Sequence, residues 1–298
     1  MNALAIKPDG IYLDATLGGG GHTSAIASRL SACGTVIGID RDPQALAYAR
    51  AHILNTAGAT LLLEQGVFGD FDSVLKRHSI AGLNGVLFDL GISSHQIDDP
   101  SRGFSYLHDE AALDMRMNGL SGQNAADLLA VYSEPELTAV LREFGEINNA
   151  PRMARTIIRG RNRCALRTAG DLKKCLMAEY GPVLNYKMLA KLFQALRIVV
   201  NQELDQLRNA LEKACQLLVR GGRLAVISYH SLEDRIVKQF IAAHAVDCVC
   251  PTADPVCRCG GSNAVLKRIT KSALVATDAE LVLNVRSRSA RLRVAEKK

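Results

Sequence analysis

The sequence lacks long apolar runs and any sign of a secretion signal. No stretch approaches the roughly 18 apolar residues that a membrane-spanning helix needs, and the first ten residues hold no apolar signal-peptide core. We therefore expect a cytoplasmic protein without membrane contact. The chain also has no internal repeat and no low-complexity tract. Its 298 residues, 48% of them hydrophobic, suffice for one large α/β domain or two smaller ones.

The sequence also lacks a disulfide framework, because eight cysteines are too few for one in a chain of this length. Four stand singly in periodic segments and are interpreted as small core residues: Cys33, Cys164, Cys175 and Cys215. Cys248-x-Cys250 and Cys257-x-Cys259 form a compact cluster that could bind zinc, although C-x-C is tighter than the usual ligand spacing. Reduced cysteines in a surface excursion are favoured, so we predict no metal ligand.

Positive charge is concentrated in two segments. Residues 152–174 contain eight Lys and Arg against one acid, Asp171, and a second basic stretch runs from Arg286 to Lys298. For either segment alone, a solvated helix face explains the charge as well as polyanion binding does. Both segments together with a nucleoside pocket, argued below, favour a nucleic-acid partner.

The first ninety residues alternate between strand-like and helix-like segments, which predicts a parallel, doubly wound α/β sheet. Strand-like runs end at Thr16, Asp40, Gly66 and Asp89. Helical segments lie near 22–31, 42–54 and 70–79. The alternation then stops, because residues 98–185 hold no convincing strand while 124–144 and 151–161 carry helical spacing.

This break predicts an inserted all-helical domain. We place the first part of the core at 1–97, the insert at 98–190 and the second part of the core at 191–298. Leucines at spacings of three and four predict one long helix from Leu192 to Leu218, ending at Gly221-Gly222. A strand at 223–229, a helix at 232–245 and strands near 266–270 and 290–296 complete the second part.

A glycine turn marks the predicted ligand site. Gly18 to Gly21 join the first strand to a helix beginning at His22, and Asp40 ends the second strand. Glycines let a backbone approach a ligand closely and present helix N–H groups to an anion. An acid after the second strand can accept the ribose hydroxyls of a nucleoside cofactor. A tight turn with no ligand is the alternative.

The glycines do not fit the dinucleotide fingerprint G-x-G-x-x-G, since Thr23 or Ser24 stands at the third glycine position. Asp14, before the turn, suits a ligand with a cationic amino-acid group, so S-adenosylmethionine is favoured over NAD. Because Asp42 can cap the following helix, Asp40 is left without a structural task and is available to the ribose.

Polar residues also follow the fourth strand, in the segment Asp89-Leu-Gly-Ile-Ser-Ser94. An acceptor at this edge can bind the N–H of an exocyclic amine and stabilise positive charge that moves from sulfur to nitrogen. Asp89 and the hydroxyls of Ser93 and Ser94 suit that task, although a capped turn also explains the serines. His230, after the fifth strand, is either a base contact or a structural histidine.

The chain closely resembles the bacterial 16S ribosomal RNA cytosine N4-methyltransferase family, also called MraW or RsmH. The matching blocks span nearly the whole chain in order: Asp14-Ala-Thr-Leu-Gly-x-Gly-Gly-His22, Gly38-Ile-Asp-Arg-Asp-Pro43, Asp89-Leu-Gly-Ile-Ser-Ser94 with Gln96, Arg102-Gly-Phe-Ser105, Leu113-Asp-Met-Arg-Met117, Phe193-Gln-Ala-Leu-Arg-Ile198, Tyr229-His-Ser-Leu-Glu-Asp-Arg235 and Arg286-Ser-Arg-Ser-Ala290.

The resemblance implies a class I, Rossmann-like methyltransferase with an inserted helical domain, S-adenosylmethionine as cofactor, and a cytosine in the decoding centre of 16S rRNA within the small ribosomal subunit as substrate. The cofactor contacts that it implies are Gly20, Gly21, His22, Asp40, Phe68, Asp89 and Gln96. The sequence departs from the family at Tyr229, where Phe is common. It does not decide whether the chain forms a homodimer.

Three other functions stay open at this point. A non-catalytic RNA-binding assembly protein would explain the basic segments but would leave Asp40 and Asp89 unused. A methyltransferase for a small-molecule amine would keep the pocket but would not need a basic insert. A methyltransferase for another RNA would use both.

Overall fold

The computed structural model describes residues 2–53, 58–119, 122–248, 250 and 257–298. The chain divides into two compact units. The sheet unit comprises Met1–Gly91 and Leu204–Lys298, and the helical unit comprises Ile92–Glu203. Residue 54, at the end of the second predicted helix, lies outside the described residues.

The sheet unit is built on one mostly parallel sheet, which confirms the predicted α/β class. Among the described residues its eight strands are β1 (Ile11–Asp14), β2 (Thr35–Asp40), β3 (Thr60–Gln65), β4 (Leu83–Asp89), β5 (Leu218–Ser228), β6 (Leu266–Arg268), β7 (Leu274–Val275) and β8 (Arg291–Lys297). The strand order is β3-β2-β1-β4-β5-β8-β6, and β7 pairs with β8. The β1 to β5 strands are mutually parallel, whereas β8 runs antiparallel to its neighbours.

The strand order reverses at β1, which lies between β2 and β4. In sheets of this kind, ligands bind outside the carboxyl ends of the strands at the reversal. Asp14, Asp40 and Asp89 are the last residues of β1, β2 and β4. The topology therefore places three carboxylates at the one sheet edge where a ligand is expected.

Both faces of the sheet are buried. Leu13, Ile37 and Val86 belong to one apolar cluster, while their chain neighbours Tyr12, Val36 and Leu87 belong to another. Successive side chains of a strand point to opposite faces, so this division is what helices packed on both faces require.

Twelve α-helices lie in the described residues. They are α1 (Gly21–Ala27), α2 (Pro43–His52), α3 (Phe71–Arg77), α4 (Ser94–Asp98), α5 (Ala125–Val131), α6 (Glu134–Glu143), α7 (Ala150–Arg161), α8 (Ala169–Tyr180), α9 (Tyr186–Asn201), α10 (Glu203–Leu217), α11 (Ser231–His244) and α12 (Asp278–Leu283). None of these is long and apolar enough to cross a membrane.

The helical unit contains α4 to α9 around its own apolar core, in which Leu141, Ile157, Leu172 and Leu196 are fully buried. Between 98 and 185 the described residues pair as β-structure only at the isolated bridge Ala112–Thr168. The helices α5 and α6 fall within the predicted segment 124–144, and α7 begins one residue before the predicted segment 151–161.

The predicted long helix from Leu192 to Leu218 is wrong. It is two helices, α9 and α10, separated at Gln202, whose φ of 53° is left-handed and ends α9. The leucine stripe continues across the break because Leu196 packs in the helical unit and Leu207 packs in the sheet unit. Periodicity alone cannot distinguish one stripe on one core from two stripes on two cores.

The break is held by a buried amide in the helical unit. The side chain of Asn201 accepts a hydrogen bond from the Met117 N–H at 2.9 Å and donates to the Met115 carbonyl at 2.7 Å.

The helical unit begins at Ile92 and ends at Glu203, whereas the sequence predicted an insert from 98 to 190. The predicted boundary at 190 falls inside α9. Gly221-Gly222 also do not cap a helix, because they lie within β5.

Candidate active site

The glycine turn between β1 and α1 has a structural requirement for glycine at Gly20. Its φ of 81° is left-handed, and an added Cβ would lie 2.6 Å from Cδ1 of Ile53. Gly20 is the N-cap of α1, and no side chain caps that helix end. Conformation and packing therefore both select glycine at this position.

Gly21 differs from Gly20. It is exposed, its φ is not left-handed, and an added Cβ would meet nothing within 4 Å. The folded chain gives no reason for glycine here. A ligand that approaches the backbone at the start of α1 does give one.

Asp14 is fully buried at the end of β1 and fixes the first turn of α1. The Thr23 hydroxyl donates to Oδ2 of Asp14 at 2.7 Å, and the Thr16 N–H donates to Oδ1 at 3.3 Å. Burial raises the pKa of Asp14 above its ordinary value. Because no surface of Asp14 is accessible, it does not bind a cationic ligand group as the sequence suggested.

Asp40 has a structural task that the sequence did not reveal. Its Oδ2 accepts the Gly18 N–H and its Oδ1 accepts the Asp42 N–H, both at 2.8 Å. Asp42 does cap α2, accepting the Gln44 N–H at 3.0 Å. Burial raises the pKa of Asp40 to about 6, although the two backbone hydrogen bonds oppose the rise. Each carboxylate oxygen can accept a further hydrogen bond, so Asp40 can still bind hydroxyls.

Asp89 is surrounded by three polar groups of the sheet unit. Tyr229 Oη donates to Oδ1 at 2.9 Å, and Nε2 of His22 lies 3.3 Å from Oδ2. The Asp89 N–H donates to the Thr16 hydroxyl at 2.6 Å. The Asp89 side chain keeps 27% of its surface exposed. The structure thus brings the predicted residues His22 and Asp89 together.

The charge of Asp89 affects both neighbours. Its hydrogen bond raises the pKa of His22 above the ordinary value, against the opposing effect of burial. Burial, with the negative charge of Asp89, raises the pKa of Tyr229 above its ordinary value. Tyr229 therefore keeps its proton at neutral pH and stays a donor to Asp89.

Sequence reasoning missed Thr16 and Tyr229 as members of this site. The available signal was position: Thr16 closely follows β1, and Tyr229 follows β5, the neighbour of β4. Polar residues just beyond adjacent parallel strands meet at one edge of the sheet.

Phe68 follows β3 and is half-buried. Its ring packs edge-on against Phe88 with centroids 6.1 Å apart. An apolar surface for an adenine ring remains a prediction for Phe68.

Ser93, Ser94 and Gln96 belong to the helical unit, at the start of α4. Ser93 Oγ accepts the Gln96 N–H at 3.2 Å, and Gln96 Oε1 accepts the Ser93 N–H at 3.0 Å. This reciprocal capping box gives Ser93 and the buried Gln96 a structural task. Ser94 is exposed. Their contacts with substrate or cofactor remain predictions.

His230 is the N-cap of α11, and its contacts are local. Its Nδ1 accepts the Glu233 N–H in a long hydrogen bond of 3.5 Å. Nε2 lies 3.1 Å from Oε1 of Glu233, but without hydrogen-bond alignment, and the described residues offer it no other partner. Glu233 in turn accepts the Tyr229 N–H at 2.9 Å. His230 therefore helps to form the turn that carries Tyr229, and a base contact remains a prediction.

The first basic segment is partly paired within the helical unit. Arg155 pairs with Glu134 at 3.2 Å, and Arg159 pairs with Glu179 at 2.9 Å. Arg161 donates to two backbone carbonyls at 2.6 Å. These contacts support the interpretation of part of this segment as a solvated helix face whose cations have partners within the same unit.

The C-terminal basic stretch is also partly paired. Arg293 forms a two-contact ion pair with Asp234 at 2.7 and 3.0 Å, and Lys298 pairs with Asp247 at 2.8 Å. Arg293 thus attaches β8, and Lys298 attaches the residue after β8, to the rest of the sheet unit.

A cleft of about 280 Å³ lies beside α7 and α8 in the helical unit. Arg159, Arg163 and Lys174 contribute cations to its lining, and Asp171 and Glu179 contribute acids. Its excess of one positive charge suits a phosphate group better than a cationic ligand.

The chain matches the MraW methylase family over residues 1–298. A protein named ribosomal RNA small subunit methyltransferase H from Heliobacterium modesticaldum is 44% identical over 301 residues, covering 100% of this chain and 95% of the relative. A protein of the same name from Fusobacterium nucleatum is 40% identical over 297 residues, covering 100% and 94%.

A solved structure described as an rRNA methylase from Streptococcus thermophilus aligns with a TM-score of 0.44 at 13% identity, covering 99% of this chain and 90% of that one. The full-length family match and the sequence relatives are decisive: the chain belongs to the MraW methylase family.

Proposed function

We propose that this chain transfers the methyl group of S-adenosylmethionine to the exocyclic N4 of a cytosine in the decoding centre of 16S rRNA. Methyltransferase activity, the cofactor and a small-subunit ribosomal RNA substrate rest on membership of the family and on the names of the relatives. The cytosine N4 atom, the decoding centre and the small subunit as the substrate particle are the finer part of the proposal. The observation that supports it best is the Asp89 carboxylate, held by Tyr229 and His22 after β4.

The glycine turn and Asp40 fit the cofactor. Gly21 leaves its backbone open at the start of α1, and Asp40 closes β2 with acceptor capacity remaining for ribose hydroxyls. When bound, S-adenosylmethionine supplies a methyl group whose bond to sulfur breaks, leaving its electron pair on sulfur, as nitrogen forms the new bond. The remaining proposed contacts of the cofactor are Gly20, His22, Phe68, Asp89 and Gln96.

Asp89 is the proposed acceptor for the N4–H of cytosine. The lone pair of that amine is delocalised into the ring, so a carboxylate that accepts its N–H makes the nitrogen a better nucleophile. The carboxylate also stabilises the positive charge that nitrogen gains, and it can take up the proton that nitrogen then loses. No covalent attachment to the protein is needed.

Tyr229 and His22 are positioning residues for Asp89. Tyr229 holds Oδ1, which leaves Oδ2 facing His22 at 3.3 Å. A neutral His22 leaves more acceptor capacity at Oδ2 than a protonated one, because the imidazolium would form an ion pair with it. Turnover is therefore expected to favour neutral His22.

The cytosine must leave any base stack before it can reach a carboxylate at a sheet edge. Contacts to the surrounding RNA backbone are proposed for the helical unit, at the cleft lined by Arg163 and Lys174. Ser93, Ser94 and His230 are proposed contacts of the flipped base.

The test is mass mapping of 16S rRNA methylation with the wild type and Asp89→Ala. We expect one cytosine methylated at N4, and a loss of about 10²–10³ in turnover for Asp89→Ala at saturating cofactor, with cofactor occupancy checked by calorimetry. Asp205→Ala, which removes an exposed acid on α10, is the matched control. Full turnover by Asp89→Ala would remove Asp89 from the chemistry.

The acceptor assay also distinguishes the competing functions. Isolated small subunits, free 16S rRNA and small amines are offered in parallel, and we expect incorporation into the subunits. Methylation of small amines alone would indicate a small-molecule enzyme. RNA binding without cofactor binding would indicate a non-catalytic assembly protein.

A further inference from the structure

Four cysteines of the sheet unit converge after α11, although the first and the last, Cys248 and Cys259, are 11 positions apart in the chain. One ligand atom from each of Cys248, Cys250, Cys257 and Cys259 lies within 4.8 Å of all the others. We propose that these four cysteines bind one Zn²⁺ ion. The proposal is independent of the methyl transfer argued above.

The sulfur separations fit a tetrahedral zinc site. Cys248 Sγ lies 3.6 Å from Cys257 Sγ, Cys257 Sγ lies 3.6 Å from Cys259 Sγ, and Cys259 Sγ lies 3.7 Å from Cys248 Sγ. Zinc–thiolate bonds of about 2.3 Å in tetrahedral geometry place sulfurs about 3.8 Å apart. These three separations therefore agree with one metal ion at the centre.

Other uses of the four thiols fit less well. A disulfide requires sulfurs about 2.05 Å apart, and all four cysteines are free thiols here. An iron–sulfur cluster separates its thiolates by several iron atoms, whereas these sulfurs are near neighbours. Core packing does not explain the cluster either, because Cys248 and Cys257 are exposed.

The backbone around the thiols is arranged for sulfur ligands. The Arg258 N–H donates to Cys250 Sγ at 3.3 Å, an interaction that stabilises a thiolate. Gly260 and Gly261 follow the last cysteine with left-handed φ values of 78° and 66°, so the chain can turn sharply away. In the sequence, the C-x-C spacing argued against zinc. In the folded chain, each C-x-C pair supplies two ligands, and the pairs 248/250 and 257/259 lie together.

The proposed ion would stabilise the connection from α11 to β6. Asn263 already connects the backbone next to the two cysteine pairs, since its Nδ2 donates to the carbonyls of Asp247 at 3.0 Å and Cys259 at 3.3 Å. Lys298 pairs with Asp247 from the end of the chain. A tetrathiolate site that is closed to substrate is structural rather than catalytic.

Elemental analysis of the full-length protein, purified under reducing conditions and then treated with Zn²⁺ and desalted, tests the proposal. We expect about one zinc ion per chain. The variant Cys257→Ser with Cys259→Ser should lose it. The control variant Cys33→Ser with Cys164→Ser should retain it, because it changes two cysteines outside the cluster, which the sequence assigned to the core but which are exposed. Co²⁺ in place of Zn²⁺ should give the intense visible absorption of tetrahedral thiolate coordination in the wild type and in the control variant, but not in Cys257→Ser with Cys259→Ser.

A second measurement applies if the variant Cys257→Ser with Cys259→Ser fails to fold. Thiol-modifying reagent added to the wild type should release one zinc ion, read with a chromogenic chelator, and chelation should lower the melting temperature of the wild type. The proposal is overturned by a wild type that binds no zinc, by zinc retained in Cys257→Ser with Cys259→Ser, or by iron bound in place of zinc.

Discussion

The hydroxyl of Tyr229 donates a 2.9 Å hydrogen bond to Oδ1 of Asp89. The two residues are 140 positions apart, and the pairing of β4 with β5 brings them together, since Asp89 stands opposite Ile227 in the register. This bond orients the carboxylate that we propose to accept the cytosine amine. It also reduces the acceptor capacity of that carboxylate, so its removal has two opposing effects on turnover.

Tyr229→Phe removes the hydrogen bond but keeps the ring. We expect the free energy of unfolding to fall by about 0.5–1.5 kcal/mol and turnover to change by less than about tenfold, because Asp89 keeps its charge and its contact with His22. Urea denaturation and single-turnover methylation measure the two effects. Tyr48→Phe, on the exposed side of α2, is the control. A loss of turnover as large as that of Asp89→Ala would make Tyr229 part of the chemistry rather than a positioning residue.

His22 links stability to pH through Asp89. Its pKa is raised in the folded state, so its contribution to stability is complete below the unfolded value of about 6.5 and disappears as pH rises through the folded value. We therefore expect His22→Gln to destabilise the protein more at about pH 5.5 than at about pH 9. Urea denaturation at both pH values measures this, with His95→Gln on α4 as control. An equal effect at both pH values would contradict an ion pair between His22 and Asp89.

Asp40 makes cofactor affinity depend on pH. Ribose hydroxyls donate to a carboxylate, and burial raises the pKa of Asp40 to about 6, so protonation below that value weakens the site. We expect the Kd of S-adenosylhomocysteine to be about tenfold higher at about pH 5 than at about pH 7.5, because the hydrogen bonds to a charged carboxylate are then lost. Calorimetry measures this. Asp40→Asn should bind weakly at both pH values, and a steep pH dependence in that variant would assign the effect to another group.

Substitutions at Gly20 and Gly21 distinguish a glycine that folding requires from a glycine that cofactor binding requires. Gly20→Ala should lower the free energy of unfolding by about 1–3 kcal/mol, because its φ of 81° is strained for alanine and its Cβ meets Ile53. Gly21→Ala should leave stability unchanged or slightly raised, yet weaken cofactor binding by about tenfold or more. Thermal unfolding and calorimetry on both variants measure these effects. Binding by Gly21→Ala that equals the wild type would show that no ligand approaches the backbone there.

Arg163 and Lys174 are the proposed phosphate contacts of the helical unit. Replacing both by alanine should weaken RNA binding and reduce the slope of log affinity against log salt by about two. Arg155→Ala removes a cation that is already paired with Glu134 and should change that slope little. Filter binding at several salt concentrations gives the slopes. Equal reductions of the slope in both variants would indicate that RNA binding depends on overall positive charge rather than on contacts at the cleft.

Local sequence patterns predicted the elements that pack by simple rules. Buried strands that end at Asp40 and Asp89, a glycine turn before His22 and a helical insert all follow from periodicity and turn chemistry. The candidate residues at the sheet edge could be named because the topological rule for parallel sheets places strand ends together.

The sequence by itself determined the family, the α/β sheet and the identity of the acids at its edge, because motifs and periods of two or 3.6 residues are local properties. Only the tertiary structure decided what each acid does. Asp14 became a buried anchor for Thr23, Asp40 became a partner of two backbone N–H groups, and Asp89 gained Tyr229 across the β4–β5 pairing. These partners are brought together by strand register and by burial, which spacing along the chain does not contain.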